Sequence, residues 1–140
     1  MNVSEVMTTN PRTVSPSDSI QIAARIMKEE DTGVVPIVED GRAVGVITDR
    51  DIVIRAVAGG SQPNQPVGEI ATRDIVCATS DMSTREATRI MSERQIRRLP
   101  VVDGGRLVGI VSIGDIAVKE GKDSRTGETL EHISEGVKKH

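Results

Sequence analysis

The chain has 140 residues, of which 36% are hydrophobic and none is aromatic, and its formal net charge is −3. Without aromatic side chains it has no stacking platforms for single-stranded nucleic acid, and its acidic balance gives no electrostatic footprint for DNA or RNA. It has no apolar run long enough to cross a bilayer, no signal-peptide pattern at its start, and a single cysteine, Cys77, which excludes an internal disulfide framework. We therefore expect a cytoplasmic protein with no nucleic-acid or membrane partner.

The sequence repeats itself once, at an offset of 64 residues. Residues 3–56 and 67–120 share 17 identities in 54 aligned pairs, far more than unrelated sequences would share. An internal repeat governs the fold before any local propensity does. We therefore predict two copies of one unit, residues 1–60 and 67–120, joined by a linker at 61–66 and followed by a polar tail at 121–140.

The first repeat has the pattern of a strand, a helix, a hairpin and a second helix. Its predicted elements are a strand at 12–14, a helix from Ile20 to about Glu30, a hairpin of 33–38 and 43–47 around Asp40-Gly41, and a helix from Asp49 to about Ala58.

The second repeat copies this order. Its predicted elements are a strand at 75–78, a helix opened by a capping box of Ser83 and Glu86, a hairpin of 99–102 and 107–111 around Gly104-Gly105, and a last helix with Ile116 and Val118. In the tail, Leu130, Ile133 and Val137 form a thin apolar stripe if that segment is helical. Such a stripe either docks on the body or on a second subunit, or the tail frays.

The most specific local pattern is a hydroxyl residue at the end of a strand with an aspartate three residues later. It occurs as Thr48 with Asp51 and again as Ser112 with Asp115. In one interpretation these residues are N-caps and first-turn carboxylates that stabilise the start of a helix. In another, the carboxylate accepts hydrogen bonds from the vicinal diol of a ribose, while the hydroxyl and nearby N–H groups face a phosphate. The two roles are compatible.

These motifs resemble a tandem pair of CBS domains, the small regulatory modules named after cystathionine β-synthase; such a pair is also called a Bateman module. The resemblance covers residues 3–120, and the motifs that carry it are 6–8, 35–38, 45–52, 97–102 and 109–116. It implies an α/β (α+β) fold with one β-α-β-β-α unit per repeat, the two units packed around a pseudo-two-fold axis. It also implies a homodimer and an adenosine-containing ligand in the cleft between the repeats.

The resemblance implies a role for each matching position. Asp51 and Asp115 would hold ribose hydroxyls, and Thr48 and Ser112 would contact ribose or phosphate. Two further sets are main-chain groups that would read the adenine edge, at Val14, Ser15, Ala78 and Thr79, and residues that would line its apolar slot, Pro36, Ile37, Pro100 and Val101. Because the chain has no aromatic residue, aliphatic side chains would hold the base.

Arg97 and Arg98 precede the second hairpin, at positions that face the ligand phosphates in similar modules. They are also typical of a solvated basic cluster, but guanidinium groups suit phosphate because they donate two parallel hydrogen bonds. Their equivalents in the first repeat, Gly33 and Val34, carry no charge. We therefore expect two unequal clefts. One is competent for a phosphorylated ligand, and the other is weaker, empty, or suited to a less charged adenosine compound.

We therefore expect a regulatory module that is not an enzyme, requires no cofactor and no metal, and binds AMP, ADP, ATP or a similar compound. It would signal to a separate effector protein through a conformational or dimer change. A ligand-free protein-interaction scaffold remains an alternative. An enzyme acting on nucleotides is disfavoured because no nucleophile–base constellation is apparent. Asp49, Asp51 and Asp115 nevertheless leave a magnesium-linked role open.

Overall fold

The computed structural model describes residues 1–123, so the predicted apolar stripe of the tail lies outside the described residues. The mixed helix and sheet class expected from the sequence is confirmed. The elements in chain order are β1 (Thr8–Thr9), α1 (Ile20–Glu30), β2 (Val34–Glu39), β3 (Arg42–Thr48), a π-helix (Asp51–Val57), α2 (Thr84–Arg94), β4 (Arg98–Asp103), β5 (Arg106–Ser112) and α3 (Ile113–Asp123), with 3₁₀ turns at Val3–Glu5 and Val67–Glu69.

The chain forms two compact units, and each unit combines segments of both sequence repeats. Among the described residues, unit 1 consists of Met1–Pro11, Val76–Gly104 and 108–123, and unit 2 consists of Arg12–Ile75 and Gly105–Leu107. The predicted repeats, 1–60 and 67–120, describe the sequence, and the compact units in space have different bounds. In space, the segment that begins each repeat belongs with the body of the other.

The exchanged segments, residues 1–8 in unit 1 and 65–72 in unit 2, are called the clasps below. Equivalent hydrogen bonds hold them in the two units. The Val3 N–H donates to the Met82 carbonyl at 2.8 Å, and the Val67 N–H donates to the Asp18 carbonyl at 2.8 Å. Both valine side chains have 0% exposure. Burying a valine contributes about 1.5–3 kcal/mol, so each clasp is anchored in the core of its unit.

Each unit has its own aliphatic core, as a chain without aromatic residues requires. The core of unit 2 is built from α1, β2, β3 and the π-helix, and its buried residues are Val14, Ile20, Ala23, Ile26, Val35, Ile37, Ile47, Ala56, Val67 and Ile70. The core of unit 1 is built from α2, β4, β5 and α3, and its buried residues are Val3, Ala78, Ala87, Met91, Leu99, Val101, Val111, Ile113 and Ile116.

The predicted hairpins form in both repeats. The turn between β2 and β3 has φ angles of 54° at Asp40 and 78° at Gly41, and the turn between β4 and β5 has 58° at Gly104 and 83° at Gly105. Two consecutive residues with positive φ match the twist of the flanking strands, which explains the preference for Asp-Gly and Gly-Gly here.

The two predicted first strands are largely wrong. Residues 12–14 and 75–78 contribute only single bridges, Val14 beside Ile37 and Ala78 beside Val101. The predicted capping box of α2 is half formed. Ser83 Oγ accepts the Glu86 N–H at 3.1 Å, but the Glu86 carboxylate bonds to Arg89.

The second helix of the first repeat is a π-helix, whereas its equivalent α3 is an ordinary α-helix. Its last turn closes with the Ala58 N–H donating to the Val53 carbonyl at 3.0 Å, five residues earlier. Val53, Ile54 and Val57 are exposed by 57%, 52% and 70%.

Candidate functional site

In unit 2, the end of β3 and the start of the π-helix bring the predicted pair Thr48 and Asp51 together. The Asp51 N–H donates to Thr48 Oγ1, and the Thr48 N–H donates to Asp51 Oδ2, both at 3.0 Å. Reciprocal bonds of this kind satisfy two backbone donors at a helix start. The capping interpretation of this pair is therefore correct.

The Asp51 carboxylate is buried, with 6% exposure, and has further partners within unit 2. Thr72 Oγ1 lies 3.1 Å from each of its two oxygens and donates to the carboxylate. Arg55 Nε lies 3.6 Å from Asp51 Oδ1, and Arg55 Nη1 donates to the Ala71 carbonyl at 3.1 Å. The carboxylate thus binds the second clasp to the start of the π-helix.

In unit 1, Ser112 and Asp115 form only one of the two bonds of this cap, and the carboxylate is exposed. The Asp115 N–H donates to Ser112 Oγ at 3.0 Å. The Asp115 side chain is exposed, and its carboxylate has no hydrogen-bond partner among residues 1–123. Thr8, which corresponds to Thr72, is also exposed. At the start of α3, this carboxylate can therefore accept hydrogen bonds from a ligand.

A backbone hydrogen bond fixes Arg97 next to this helix start, and Arg98 follows it as the first residue of β4. The Ile113 N–H donates to the Arg97 carbonyl at 2.9 Å, which joins the approach to β4 to the first residue of α3. Arg97 and Arg98 are half-buried. The geometry thus brings two guanidinium-bearing residues, the Ser112 hydroxyl and the Asp115 carboxylate to one end of unit 1.

Beside the helix start of unit 2 lies an acidic side chain, Asp49, where unit 1 has the basic side chain of Arg97. The Asp49 N–H donates to the Gly33 carbonyl at 2.9 Å, as Ile113 does to Arg97. A Cβ added at Gly33 would lie 2.9 Å from Asp49 Oδ2, so the Asp49 carboxylate covers the position from which the Arg97 side chain extends in unit 1. A phosphate would meet negative charge here.

The main-chain positions predicted to read an adenine edge are largely paired within their own units. The Val14 N–H donates to the Pro36 carbonyl at 3.1 Å, and the Ala78 N–H donates to the Pro100 carbonyl at 2.9 Å. The Ser15 N–H donates to Asp18 Oδ2 at 2.8 Å. Of these four positions, only the Thr79 N–H has no partner among residues 1–123. Hydrogen bonds to an adenine base would thus depend on the Thr79 N–H and on carbonyl oxygens that can accept a second hydrogen bond.

The four predicted slot residues lie on β2 and β4. Pro36 and Pro100 are buried, and Ile37 and Val101 have 1% and 0% exposure. The Ile37 and Val101 side chains already pack in the aliphatic cores of the two units, where a well-packed strand leaves little free surface. An adenine base would therefore contact only a small part of each of these side chains.

Thr72, Arg55 and the glycines of β3 and β5 were not among the predicted site residues. The signal for Thr72 was present, because Thr8 and Thr72 are identical at the repeat offset. Gly45 and Gly109 permit the clasps to approach, since an added Cβ would lie 2.9 Å from the Thr72 carbonyl oxygen and 2.8 Å from that of Thr8.

The other candidates give no site. Within residues 1–123, no three His, Cys, Asp or Glu side chains are grouped to hold a metal ion. Cys77 is half-buried, and burial raises the pKa of its thiol, which disfavours the reactive thiolate. No helix in this part of the chain has both the length and the apolar character to cross a membrane.

A family model for the CBS domain matches the chain twice, at residues 3–57 and 67–119. The chain therefore belongs to the CBS domain family, as a tandem pair. It is 43% identical over 133 residues to the CBS domain-containing protein YhcV of Bacillus subtilis, and the match covers 95% of both chains.

Three solved structures are similar in fold. The CBS domain pair of protein MJ0100, in complex with 5′-methylthioadenosine and S-adenosyl-L-methionine, has a TM-score of 0.74 and 33% identity, covering 89% of this chain and 98% of that one. CBSX2 in complex with AMP has a TM-score of 0.76 and 26% identity, covering 87% and 97%. Hypoxic Response Protein I with two coordinated zinc ions has a TM-score of 0.76 and 38% identity, covering 84% and 98%.

Proposed function

We propose that this chain is a regulatory module, not an enzyme, that binds an adenosine nucleotide at the Ser112–Asp115 end of unit 1. The observation that carries the proposal is the exposed Asp115 carboxylate, which has no side-chain partner among residues 1–123 and lies beside the start of α3. Similar structures hold AMP, S-adenosyl-L-methionine and 5′-methylthioadenosine, which all contain adenosine.

The chemistry of this end of unit 1 matches the parts of such a ligand. A carboxylate accepts hydrogen bonds from both hydroxyls of a ribose. Arg97 and Arg98 offer the planar donor groups that suit phosphate, and the first N–H groups of α3 favour negative charge. In this arrangement Asp115 holds the ribose, Ser112 contacts ribose or phosphate, and the arginines select a phosphorylated ligand.

Magnesium enters this proposal only as a companion of the ligand. Mg²⁺ is usually bound by one or two carboxylates together with substrate phosphates. Asp115 can provide one carboxylate, whereas Asp51 is already bonded to Thr48 and Thr72. A magnesium effect would therefore require a ligand with two or more phosphates, such as ADP or ATP.

Signalling requires a second state that the ligand binds with a different affinity. The N-terminal clasp is a candidate for the moving part, because its Thr8 pairs with Ile110 of β5, two residues before Ser112. We propose that nucleotide binding changes how this clasp or the dimer is held, and that a separate effector protein reads the change. A cytoplasmic location stays a prediction from the sequence.

We further propose that the chain acts as a homodimer. The π-helix exposes Val53, Ile54 and Val57, and α3 exposes Val118 by 51%. Sedimentation should therefore give a dimer for the wild type and a monomer for Ile54→Lys, with the exposed Asn64→Lys, which adds the same charge, as a control that remains a dimer. A monomeric wild type would leave this surface to a different protein, as the scaffold alternative requires.

Calorimetric melting tests the nucleotide proposal and needs no intrinsic fluorophore, which this chain lacks. A ligand that binds only the folded state, at one hundred times its Kd, adds about 2.7 kcal/mol to the free energy of unfolding. We expect a rise in Tm with AMP, ADP or ATP that Asp115→Asn abolishes and the control Asp74→Asn retains. No rise with these ligands or with S-adenosylmethionine, with or without Mg²⁺, would favour the scaffold.

A further inference from the structure

The two clasps lie on their strands in the same way. In unit 2, Thr72 and Val46 exchange backbone hydrogen bonds, both at 2.9 Å. In unit 1, Thr8 pairs with Ile110 at the equivalent place. Each threonine is therefore held by backbone pairing to a strand residue, and that strand residue lies a few positions before the aspartate that follows the strand.

The threonine side chains differ in what they bond. The Thr72 hydroxyl donates to the Asp51 carboxylate at 3.1 Å, whereas the Thr8 and Asp115 side chains are exposed and have no mutual hydrogen bond. The same motif at the same strand end thus has a carboxylate that is engaged in unit 2 and exposed in unit 1.

The bonds to Asp51 engage both of the carboxylate oxygens that a ribose would need. Oδ2 accepts from the Thr48 N–H, and both oxygens lie within hydrogen-bond distance of Thr72 Oγ1. The Arg55 guanidinium lies 3.6 Å from Oδ1. Because Asp51 is also only 6% exposed, a vicinal diol can reach its carboxylate only by displacing the Thr72 hydroxyl.

Displacement is opposed by the way Thr72 is held. Its backbone is fixed to β3 in both directions, and Arg55 also donates to the carbonyls of Ile70 and Ala71 at 3.3 and 3.1 Å. The hydroxyl cannot leave Asp51 by a movement of the clasp alone without breaking these bonds. Only rotation of the Thr72 side chain would release the carboxylate.

We infer that Thr72 is an intramolecular occupant of the first-repeat site, presenting its hydroxyl to Asp51 in place of a ligand hydroxyl. This inference rests on the proposed function, and it gives the chain one nucleotide site instead of two. Thr72 is then the residue that decides the stoichiometry of the module, and its removal should open a second site.

The second site should prefer a ligand without phosphate, because Asp49 lies where unit 1 has Arg97. AMP is therefore the probe for unit 1 alone, whereas adenosine, which unit 1 also binds through Asp115, is the probe that unit 2 can accept. Equilibrium dialysis can measure both through the ultraviolet absorbance of adenine, with little background from a chain that has no Trp, Tyr or Phe.

The experiment compares the wild type with Thr72→Ala, which removes the hydroxyl and leaves room for a ligand hydroxyl, and with Thr72→Ser, which keeps the hydroxyl. We expect one AMP per chain in all three proteins. With adenosine, we expect one per chain in the wild type and Thr72→Ser but two in Thr72→Ala. Thr8→Ala, the matched variant in unit 1, should not gain a site.

The outcomes separate the two proposals. A wild type that binds none of AMP, ADP and ATP overturns the proposed function, and the inference with it. One AMP per chain with no additional adenosine in a folded Thr72→Ala overturns the inference alone, as does a wild type that already binds two adenosines. Loss of the added site in Thr72→Ala/Asp51→Asn would support the assignment of that site to Asp51.

Discussion

The two helix starts at Thr48–Asp51 and Ser112–Asp115 have the same sequence pattern and share the bond from the aspartate N–H to the hydroxyl, yet their carboxylates differ. Asp51 is 6% exposed and bonds to the clasp of its unit, whereas Asp115 is exposed. The motif alone therefore does not determine whether the carboxylate is available to a ligand. The carboxylate of Asp51 is engaged by a hydroxyl 21 residues further along the chain, which backbone pairing brings beside it.

The charged residues near the two helix starts also differ between the units. Unit 1 has Arg97 beside its helix start, whereas unit 2 has Asp49 at the equivalent place. Within the π-helix, Arg55 further neutralises Asp51 from one turn away. The aspartate of unit 2 thus binds two segments of its own unit together, whereas the aspartate of unit 1 is exposed.

The largest expected effect concerns a feature that the two units share, since a buried valine anchors each clasp. Val3→Ala and Val67→Ala each remove two buried methyl groups and leave a cavity, so each should lower the free energy of unfolding by about 2–3 kcal/mol. Urea denaturation followed by circular dichroism measures both. If one variant lost less than half as much as the other, the two clasps would not be energetically equivalent.

The next effect tests where the units differ. Asp51→Asn weakens the bonds to Thr72 and the ion pair with Arg55, and it should cost about 1.5 kcal/mol. Asp115→Asn changes an exposed side chain and should cost less than about 0.5 kcal/mol. The same denaturation assay compares them, and equal losses would mean that Asp51 is not specially bonded in solution.

The smallest effect concerns pH and belongs to unit 1 alone. Ser80 donates to Asp103 through its hydroxyl at 2.6 Å and its N–H at 3.0 Å, and these bonds lower the pKa of Asp103. A carboxyl whose pKa is lower in the folded state contributes stability above its unfolded pKa of about 3.9, and this is lost as the pH falls through its folded pKa.

Ser80→Ala should therefore destabilise the protein at neutral pH by more than it does in acid. Melting curves of the wild type and the variant across this range would measure the difference. The equivalent residues of unit 2, Pro16 and Glu39, have no hydroxyl–carboxylate pair to remove. A loss of stability that is the same at every pH would contradict the role of Asp103.

The sequence predicts the local elements well, because their signals are local. The apolar spacing of α1, the Ser83 cap of α2 and the Asp40-Gly41 turn each specify backbone geometry within a few residues. The strands at 12–14 and 75–78 were over-predicted, since short apolar runs pair only as far as neighbouring backbone permits, and here that is one bridge each.

The features that position the site are not local, which is why the sequence does not predict them. The exchange of the clasps depends on which core buries Val3 and Val67, and the bond between Thr72 and Asp51 joins residues far apart in the chain. The π-helix is also invisible to a periodicity search, since residues 49–58 fit an α-helical pattern. Repeat alignment reveals the equivalent positions but not their different bonds.

The central claim is that nucleotide binds at the exposed aspartate of unit 1 and not at the engaged aspartate of unit 2. Amide chemical shifts of isotope-labelled protein, titrated with AMP, test it most directly. The account predicts that the amides of Arg97, Arg98 and 112–116 shift with AMP, while those of Thr48, Asp51 and Thr72 do not. Shifts concentrated at Thr48, Asp51 and Thr72, or of equal size at both helix starts, would contradict it.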